Sequence, residues 1–480
     1  MKIRLENCTF EKYILGMESS FLRLCSLAID NFKNVIRGDI DFSFGKTDTE
    51  FGQKSSVTAL YGQNGSGKTS VIYALDLLKR TINGLPLWSD MDKCITAGQN
   101  VSTFTFAFIL YKDYNPQKKI TYSFSVKQKN GDTFAACYEN EKISVSEIDD
   151  SGKWSYMNCI FEYNRDGNLV PGFLPKNKFE QTVKGNPNLM VDISVADKLA
   201  KMTNASFLFS KDFLNCLERG ENRELSEIIR HLKKYASSNL FVINNTHSGI
   251  ISCNDILPIA VKHKKNQDLV VGDIIISQQA PTQTDEKSFA LIQKVIANIG
   301  IVMGALVPGL NFAAKEISKN ILPNGSNGIL FELVAVHDDK KIPIRYESEG
   351  IKKLFSVIYM ITEMYNNPAT CVAIDELDAG VFEHLLGELL NIIDETGAGQ
   401  LIITSHNLRP LEVISKECVV CTTTNASNRY IRLKNIKPSN NLRDCYIRAL
   451  NLGGQDENLS IQADGAKIRR ALRKAEKNAD

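Results

Sequence analysis

The chain has 480 residues, 43% hydrophobic and 23% charged, with a formal net charge of +2. That is the balance of a globular protein with a sizeable core, at about three structural units for this length, rather than of a disordered chain. The near-neutral total neither demands nor excludes a polyanionic partner, because local basic patches can hide within it.

The start, MKIRLENCTFEK, is charged and lacks an apolar run, so no secretory leader is expected. The 11 cysteines are odd in number and scattered from Cys8 to Cys445, which fits reduced thiols in a cytoplasm. Residues 22–44 read as a pair of strands, followed by a polar loop and a short strand at 56–60. The stretch GQNGSGKTS at 62–70 comes next. Apolar residues from Val71 to Leu78 then recur at helical spacing. Alternating segments between 101 and 165 predict an antiparallel meander, and 175–290 reads as polar and more helical.

Residues 295–314 are uncharged but interrupted by Pro308 and glycines, so a buried helix ending near Pro308 is expected and no membrane span. From 329 onward, strands and helices alternate through GILFELVAVHDD, CVAIDE and QLIITSHN, which predicts a parallel sheet with right-handed crossovers. Cys418 and Cys421 form a lone CxxC on a strand-like segment, where side chains three apart face opposite ways and share a metal poorly. The tail closes on a basic helix, KIRRALRKAEK.

Gly62-x-x-x-x-Gly67-Lys68-Thr69 has the spacing of a phosphate-binding loop between a strand and a helix. Its glycines let backbone N–H groups turn toward phosphates, and the helix points its positive end at them. Lys68 would reach the β and γ phosphates, and Thr69 would ligate Mg²⁺. Gly62, Asn64, Gly65, Ser66, Gly67, Lys68, Thr69 and Ser70 are therefore nucleotide-binding candidates. In CVAIDE an apolar strand ends in two carboxylates: Asp375 as metal holder and Glu376 as the group that polarises water. Alone, such a pair also serves as helix N-terminal charge. QLIITSH ends a second strand at His406, one βαβ unit later, on the same sheet edge. Glu347-Ser348-Glu349-Gly350 opens a helix, where Ser348 reads as an N-cap or, with Gly350, as an anion site.

The order phosphate loop, Ser-x-Gly helix, Asp-Glu strand, histidine strand resembles the ABC-type ATPase heads of SMC, RecF and OLD proteins. Closer still is the resemblance to prokaryotic defence-associated ATPases that include AbiLi-like abortive-infection proteins, through NFKN, GQNGSGKTS, ESEGIKKLF, AIDELDAG, LIITSHNLRPLEV and NNLRDCYIRALNLGG. The resemblance implies an α/β fold: an ABC-type P-loop ATPase head with an antiparallel β subdomain and an inserted, mainly helical lobe. The expected divisions are 1–170 and 321–430 for the two halves of the head, 171–320 for the lobe and 431–480 for a tail.

The resemblance also implies ATP and Mg²⁺, with Ser348 and Gly350 in the signature and Asp378 in the D-loop. A homodimer with ATP sandwiched between heads follows. The signature departs from the LSGGQ of transporters, and Gln99 and Gln117 are the glutamines weighed for a Q-loop. No long heptad run predicts an SMC-like arm. Three functions follow. The first is a cytoplasmic anti-phage ATPase controlling a separate effector, a nuclease, after a DNA or phage-derived trigger. The second is a RecF/SMC-like DNA-maintenance ATPase using the basic runs 231–234, 262–265 and 467–474, which otherwise read as solvated faces. The third is a nucleotide-gated scaffold.

Overall fold

The computed structural model describes residues 20–129, 134–149, 151–166, 185–219, 222–244, 256–265, 268–278, 280–322, 325, 327–338, 340–437, 440–461 and 464–477. In chain order the elements begin with β1 (Ser20–Phe32), β2 (Val35–Asp41), α1 (Asp48–Gln53), β3 (Ser56–Tyr61) and α2 (Lys68–Ile82). Next come β4 (Val101–Lys112), β5 (Asn115–Gln128), β6 (Ala136–Glu147) and β7 (Asn158–Asn164). Helices α3 (Pro187–Thr203), α4 (Lys211–Arg219) and α5 (Arg223–Lys234) lead to β8 (Leu240–Ile243), β9 (Ile256–Lys265), β10 (Asp268–Ser277) and β11 (Thr282–Asp285). Helix α6 (Glu286–Leu306) precedes β12 (Leu310–Ile321), β13 (Asn327–His337) and β14 (Lys340–Pro343). The chain continues through α7 (Glu349–Asn366), β15 (Cys371–Ile374), α8 (Glu383–Thr396), β16 (Gln400–Thr404), β17 (Val419–Thr422) and β18 (Tyr430–Ile431), ending in α9 (Leu442–Leu452) and α10 (Gly465–Lys477).

The fold is mixed α/β. The central sheet runs β18-β17-β3-β16-β15-β8, parallel except for β18. Strands β3, β15, β16 and β17 are buried at every position because both faces are covered. Leu60, Cys371, Ala373, Ile402 and Val420 join one core cluster, with α2 and the antiparallel sheet. Their strand neighbours Val57, Ala59, Val372, Ile374, Leu401 and Ile403 join the other, with α6, α7 and α8. The period of two along a strand thus splits each strand between two cores.

The expected meander is present and larger than its sequence segment: β4 to β7 are extended by the hairpin β1–β2 into the order β2-β1-β4-β5-β6-β7. Two features bind this sheet to the central one. Arg23, fully buried, donates to the carbonyls of Lys54 (2.9 Å), Ala398 (3.1 Å) and Gly399 (3.1 Å). Gln400 pairs its side-chain amide with both backbone groups of Leu24, at 2.9 and 2.8 Å.

Two expectations are corrected. The segment 329–337 is not in the parallel sheet. It forms β13, antiparallel to β11, β12 and β14 in a separate sheet; its connections to β12 and β14 are of hairpin length, which allows only antiparallel pairing with those two. Among the described residues of 171–320, α3–α5, a π-helical turn at Tyr235–Asn239 and α6 are interrupted by strands that the helical reading left out. Between them, β8 is the edge strand of the central sheet beside β15, and β9–β10 form a hairpin. The apolar β-branched character of LFVI outweighed the helical pattern around it.

Among the described residues, α6 is the one helix long and apolar enough to cross a membrane by length and composition. Its Phe289, Ile292, Val295, Ile296, Ile299 and Met303 are buried against β12, β13 and α7. It stops at Leu306, two residues before Pro308.

Replacing Gln400 with Leu strands the N–H and C=O of Leu24 in the core. A loss of about 2–4 kcal/mol is expected, read as a lowered thermal midpoint relative to the unmodified chain.

Candidate functional site

The loop between β3 and α2 is shaped by glycine. Gly67, the N-cap of α2, sits at φ 97°, a left-handed conformation that a side chain rarely adopts. The loop is held from behind by the last strands. Tyr430 Oη donates to the Gly67 carbonyl at 2.8 Å, and Ser66 Oγ bonds the Gln63 carbonyl at 2.6 Å and the Thr422 hydroxyl. The Gln63 side chain pairs with both backbone groups of Ile461, at 3.2 and 3.1 Å. Asn34, from the β1–β2 turn, donates to the Gly65 carbonyl and accepts from Ser70 Oγ.

An open cavity of about 470 Å³ lies above this loop. That size suits a ligand of a few hundred daltons. It is lined by Asn64, Gly65, Ser66, Gly67, Lys68, Thr69 and Ser70, with Glu376, Thr404 and His406 across from them. Lys68 is buried, and its ammonium donates to the carbonyls of Gly62 (2.8 Å) and Gln63 (3.0 Å). Burial pulls its pKa down, against Asp375, Glu376 and Asp378, which pull it up.

Asp375 has no exposed surface. Its Oδ1 accepts from Thr404 Oγ1 at 2.6 Å and from Thr69 Oγ1 at 3.3 Å, while Oδ2 is buried without a hydrogen-bond partner. Desolvation raises its pKa; the Thr404 hydrogen bond opposes this, and Glu376 adds to it. A buried carboxylate oxygen without a donor, next to a threonine hydroxyl, suits a hard divalent cation with oxygen ligands. Thr69 and Asp375 are the residues here that would hold Mg²⁺. Glu376 turns out of β15 at φ 50°, its N–H donating to Thr404 Oγ1 at 2.8 Å. The side chain of His406 is exposed on the cavity wall.

The sequence-derived candidates therefore divide. Asn64 to Ser70, Glu376 and His406 line one cavity, Asp375 lies buried behind its wall within 3.3 Å of Thr69, and Gly62 lies beneath the loop as an acceptor for Lys68. Ser348, Gly350 and Asp378 do not line it. Ser348 caps α7 by accepting from the Ile351 N–H at 3.3 Å, which is the plain capping role. The Asp378 carboxylate accepts from the backbone N–H groups of His406 and Asn407, both at 2.9 Å, and so fixes the end of β16. Gln99 and Gln117 are exposed, and neither lines the cavity.

Sequence reasoning missed Lys33, Asn34 and Thr404 as parts of this wall. The first two lie in the NFKN stretch, whose position in a hairpin turn was legible but whose reach to the loop was not. Lys33 packs its ammonium 3.1 Å from the centre of the Tyr73 ring, and burial lowers its pKa.

An AAA ATPase domain family model matches residues 23–409. No curated protein matches the chain. Similar solved structures include an Smc head bound to the C-winged helix domain of ScpA, with 14% identity and a TM-score of 0.39 over 85% of this chain and 98% of that one. Another is an Smc head with an extended coiled coil bound to the C-terminal domain of ScpA, derived from Pyrococcus furiosus, at 13% identity and TM-score 0.34, covering 86% and 96%. A third is the recombination mediator RecF with ATP, at 12% identity and TM-score 0.36, covering 86% and 100%.

Asp375→Asn keeps an acceptor for both threonines and removes a buried charge. Because the folded pKa of Asp375 is raised, its ionisation costs stability above that pKa and nothing below its unfolded one. The variant should melt no lower than the unmodified chain at neutral pH without Mg²⁺. It should lose the additional thermal shift given by Mg²⁺ with nucleotide.

Proposed function

Because the chain belongs to the AAA ATPase domain family, we propose that it binds ATP with Mg²⁺ and hydrolyses it at this cavity. The observation that carries the reading is the convergence of Lys68, Thr69 with Asp375, and Glu376 on one cavity. Lys68 and the loop N–H groups would bind the β and γ phosphates. Mg²⁺, held by Thr69 and Asp375, would neutralise phosphate charge. Glu376 would orient a water and take its proton. The water oxygen bonds to the γ phosphorus as the bond to the bridging oxygen breaks, and ADP leaves with that oxygen. His406 stands at the cavity wall as a γ-phosphate contact.

The reading extends to a dimer. Ser348 is exposed and lies outside its own chain's cavity. With Gly350 and Asp378 it would complete the nucleotide site of a second copy, which the motif order supports. On the motif resemblance alone, the dimer would act in anti-phage defence, with ATP binding controlling a separate effector, a nuclease. A second reading, DNA maintenance, is favoured by one specific observation. Lys467, Arg469, Arg470, Arg473 and Lys474 are all exposed on α10. The run 262–265 lies on β9, where side chains fall outside the described residues, and His231 to Lys234 end α5 half-buried. A scaffold gated by nucleotide, with hydrolysis incidental, is the third.

Lys68→Ala should abolish nucleotide binding in calorimetry; normal binding would refute the phosphate site. Glu376→Gln should bind ATP normally and lose hydrolysis by on the order of 10²-fold or more. It should also accumulate as an ATP-bound dimer in light scattering. For the second reading, duplex DNA binding should weaken steeply with salt, and a flat salt response would count against it. If the Glu376→Gln variant kept full protection of cells against phage, the scaffold reading would be preferred.

A further inference from the structure

Helix α7 reaches the reacting end of the cavity with one side chain. Lys353 lies in its second turn, is 6% exposed, and donates its ammonium to the backbone carbonyl of Glu376. The same carbonyl accepts from the Ala379 N–H at 3.0 Å, closing the turn after β15. At its other end, the Glu376 N–H is held by Thr404 Oγ1 at 2.8 Å. Glu376 sits between these ties at φ 50°, a left-handed conformation that a residue with a side chain rarely adopts. A strained backbone persists only where its surroundings fix it.

We propose that Lys353 is a positioning residue for hydrolysis: by holding the Glu376 carbonyl, it sets the direction of the Glu376 carboxylate and couples it to α7. A second contact makes the coupling rigid. Gly350, near the start of the same helix, packs so close to the Gly380 carbonyl that a Cβ there would stand 1.8 Å from it. Helix α7 therefore cannot move toward the 376–380 turn without displacing it. Asp378, within that turn, also holds the end of β16 at His406. The charge arrangement agrees. Burial lowers the Lys353 pKa, while Asp378, Glu376 and Asp375 pull it back up, so the ammonium is placed where three carboxylates favour it. A displacement at Ser348–Gly350 would reach Glu376 through Lys353. That is how closure on a second copy's nucleotide would be felt at this chain's own water-activating group.

The inference rests on the ATP-hydrolase reading, and the test separates the two. Lys353→Met keeps the volume and removes the donor; Lys353→Arg keeps a charged donor. Steady-state kcat and KM for MgATP are measured together with nucleotide affinity in calorimetry. The expected result for Lys353→Met is a kcat lowered on the order of 10-fold or more, the scale of a misplaced catalytic group. KM and affinity should stay within about twofold, the signature of an interaction that acts only on the chemical step. Lys353→Arg should recover much of the loss. An unchanged kcat in Lys353→Met overturns the proposal, as does a fall matched by an equal loss of affinity. If Lys353→Met does not fold, Lys353→Gln is judged by the same split. An unmodified chain that binds but never hydrolyses ATP, with Glu376→Gln indistinguishable from it, would instead sink the hydrolase reading itself.

Discussion

A single hydroxyl holds the reacting end of the sheet together. Thr404 Oγ1 donates to Asp375 Oδ1 and accepts from the Glu376 N–H, joining the ends of β15 and β16. Asp375 then reaches Thr69, at the start of α2. Three elements distant in sequence are thereby fixed within hydrogen-bond distance of one another. The arrangement leaves one carboxylate oxygen buried and unpartnered. In a low-dielectric setting this costs free energy unless a cation is supplied. The cost is located at the one place where a phosphate-bearing ligand would bring such a cation.

The position of that sheet end depends on what lies behind it. The antiparallel sheet carries the turn bearing Lys33 and Asn34, which must meet the phosphate loop. Arg23 and Gln400 lock the two sheets face to face at the opposite end of β16. Arg429 adds a tie from the other side, donating to the Asn34 carbonyl and, at 2.6 Å, to that of Thr423. Buried guanidinium groups suit this role because each offers several donors in a fixed plane and satisfies carbonyls that loop ends leave unpaired. The main chain of the cavity wall is thus set by side chains outside any motif.

Electrostatics at the cavity follow from these placements. Lys33 and Lys68 line the cavity with Glu376, both feel the charge of the buried Asp375, and burial opposes the charge on both lysines. Such a site holds its charges at a cost when alone, and phosphate groups with a divalent cation would compensate both signs. Lys353 adds a third ammonium, itself buried, which acts on the backbone carbonyl of Glu376 rather than lining the cavity.

The sequence by itself determined the local pieces. GQNGSGKTS, CVAIDE and QLIITSH each carry their structure in a few residues: glycine for left-handed turns, apolar runs for covered strands, and carboxylates or histidine at strand ends. Their order placed them on one sheet edge, because parallel strands joined by right-handed crossovers bring those ends together. The hairpin at 22–44 and the meander at 101–165 were legible for the same reason: alternation is local.

Tertiary structure decided what depends on long-range pairing. LFVI at 240–243 became the sheet edge beside β15, and GILFELVAVH left the parallel sheet for an antiparallel one. A four-residue apolar run looks the same in either setting until its neighbour is known. Asn34, Thr404 and Lys353 escaped notice because polar residues carry no periodic signal. Their roles arise from a distance in space set by the packing of two cores. Ser348, Gly350 and Asp378 show the reverse case. Their motif was readable, but the fold turns Ser348 and Gly350 away from the chain's own cavity and Asp378 back onto the end of β16.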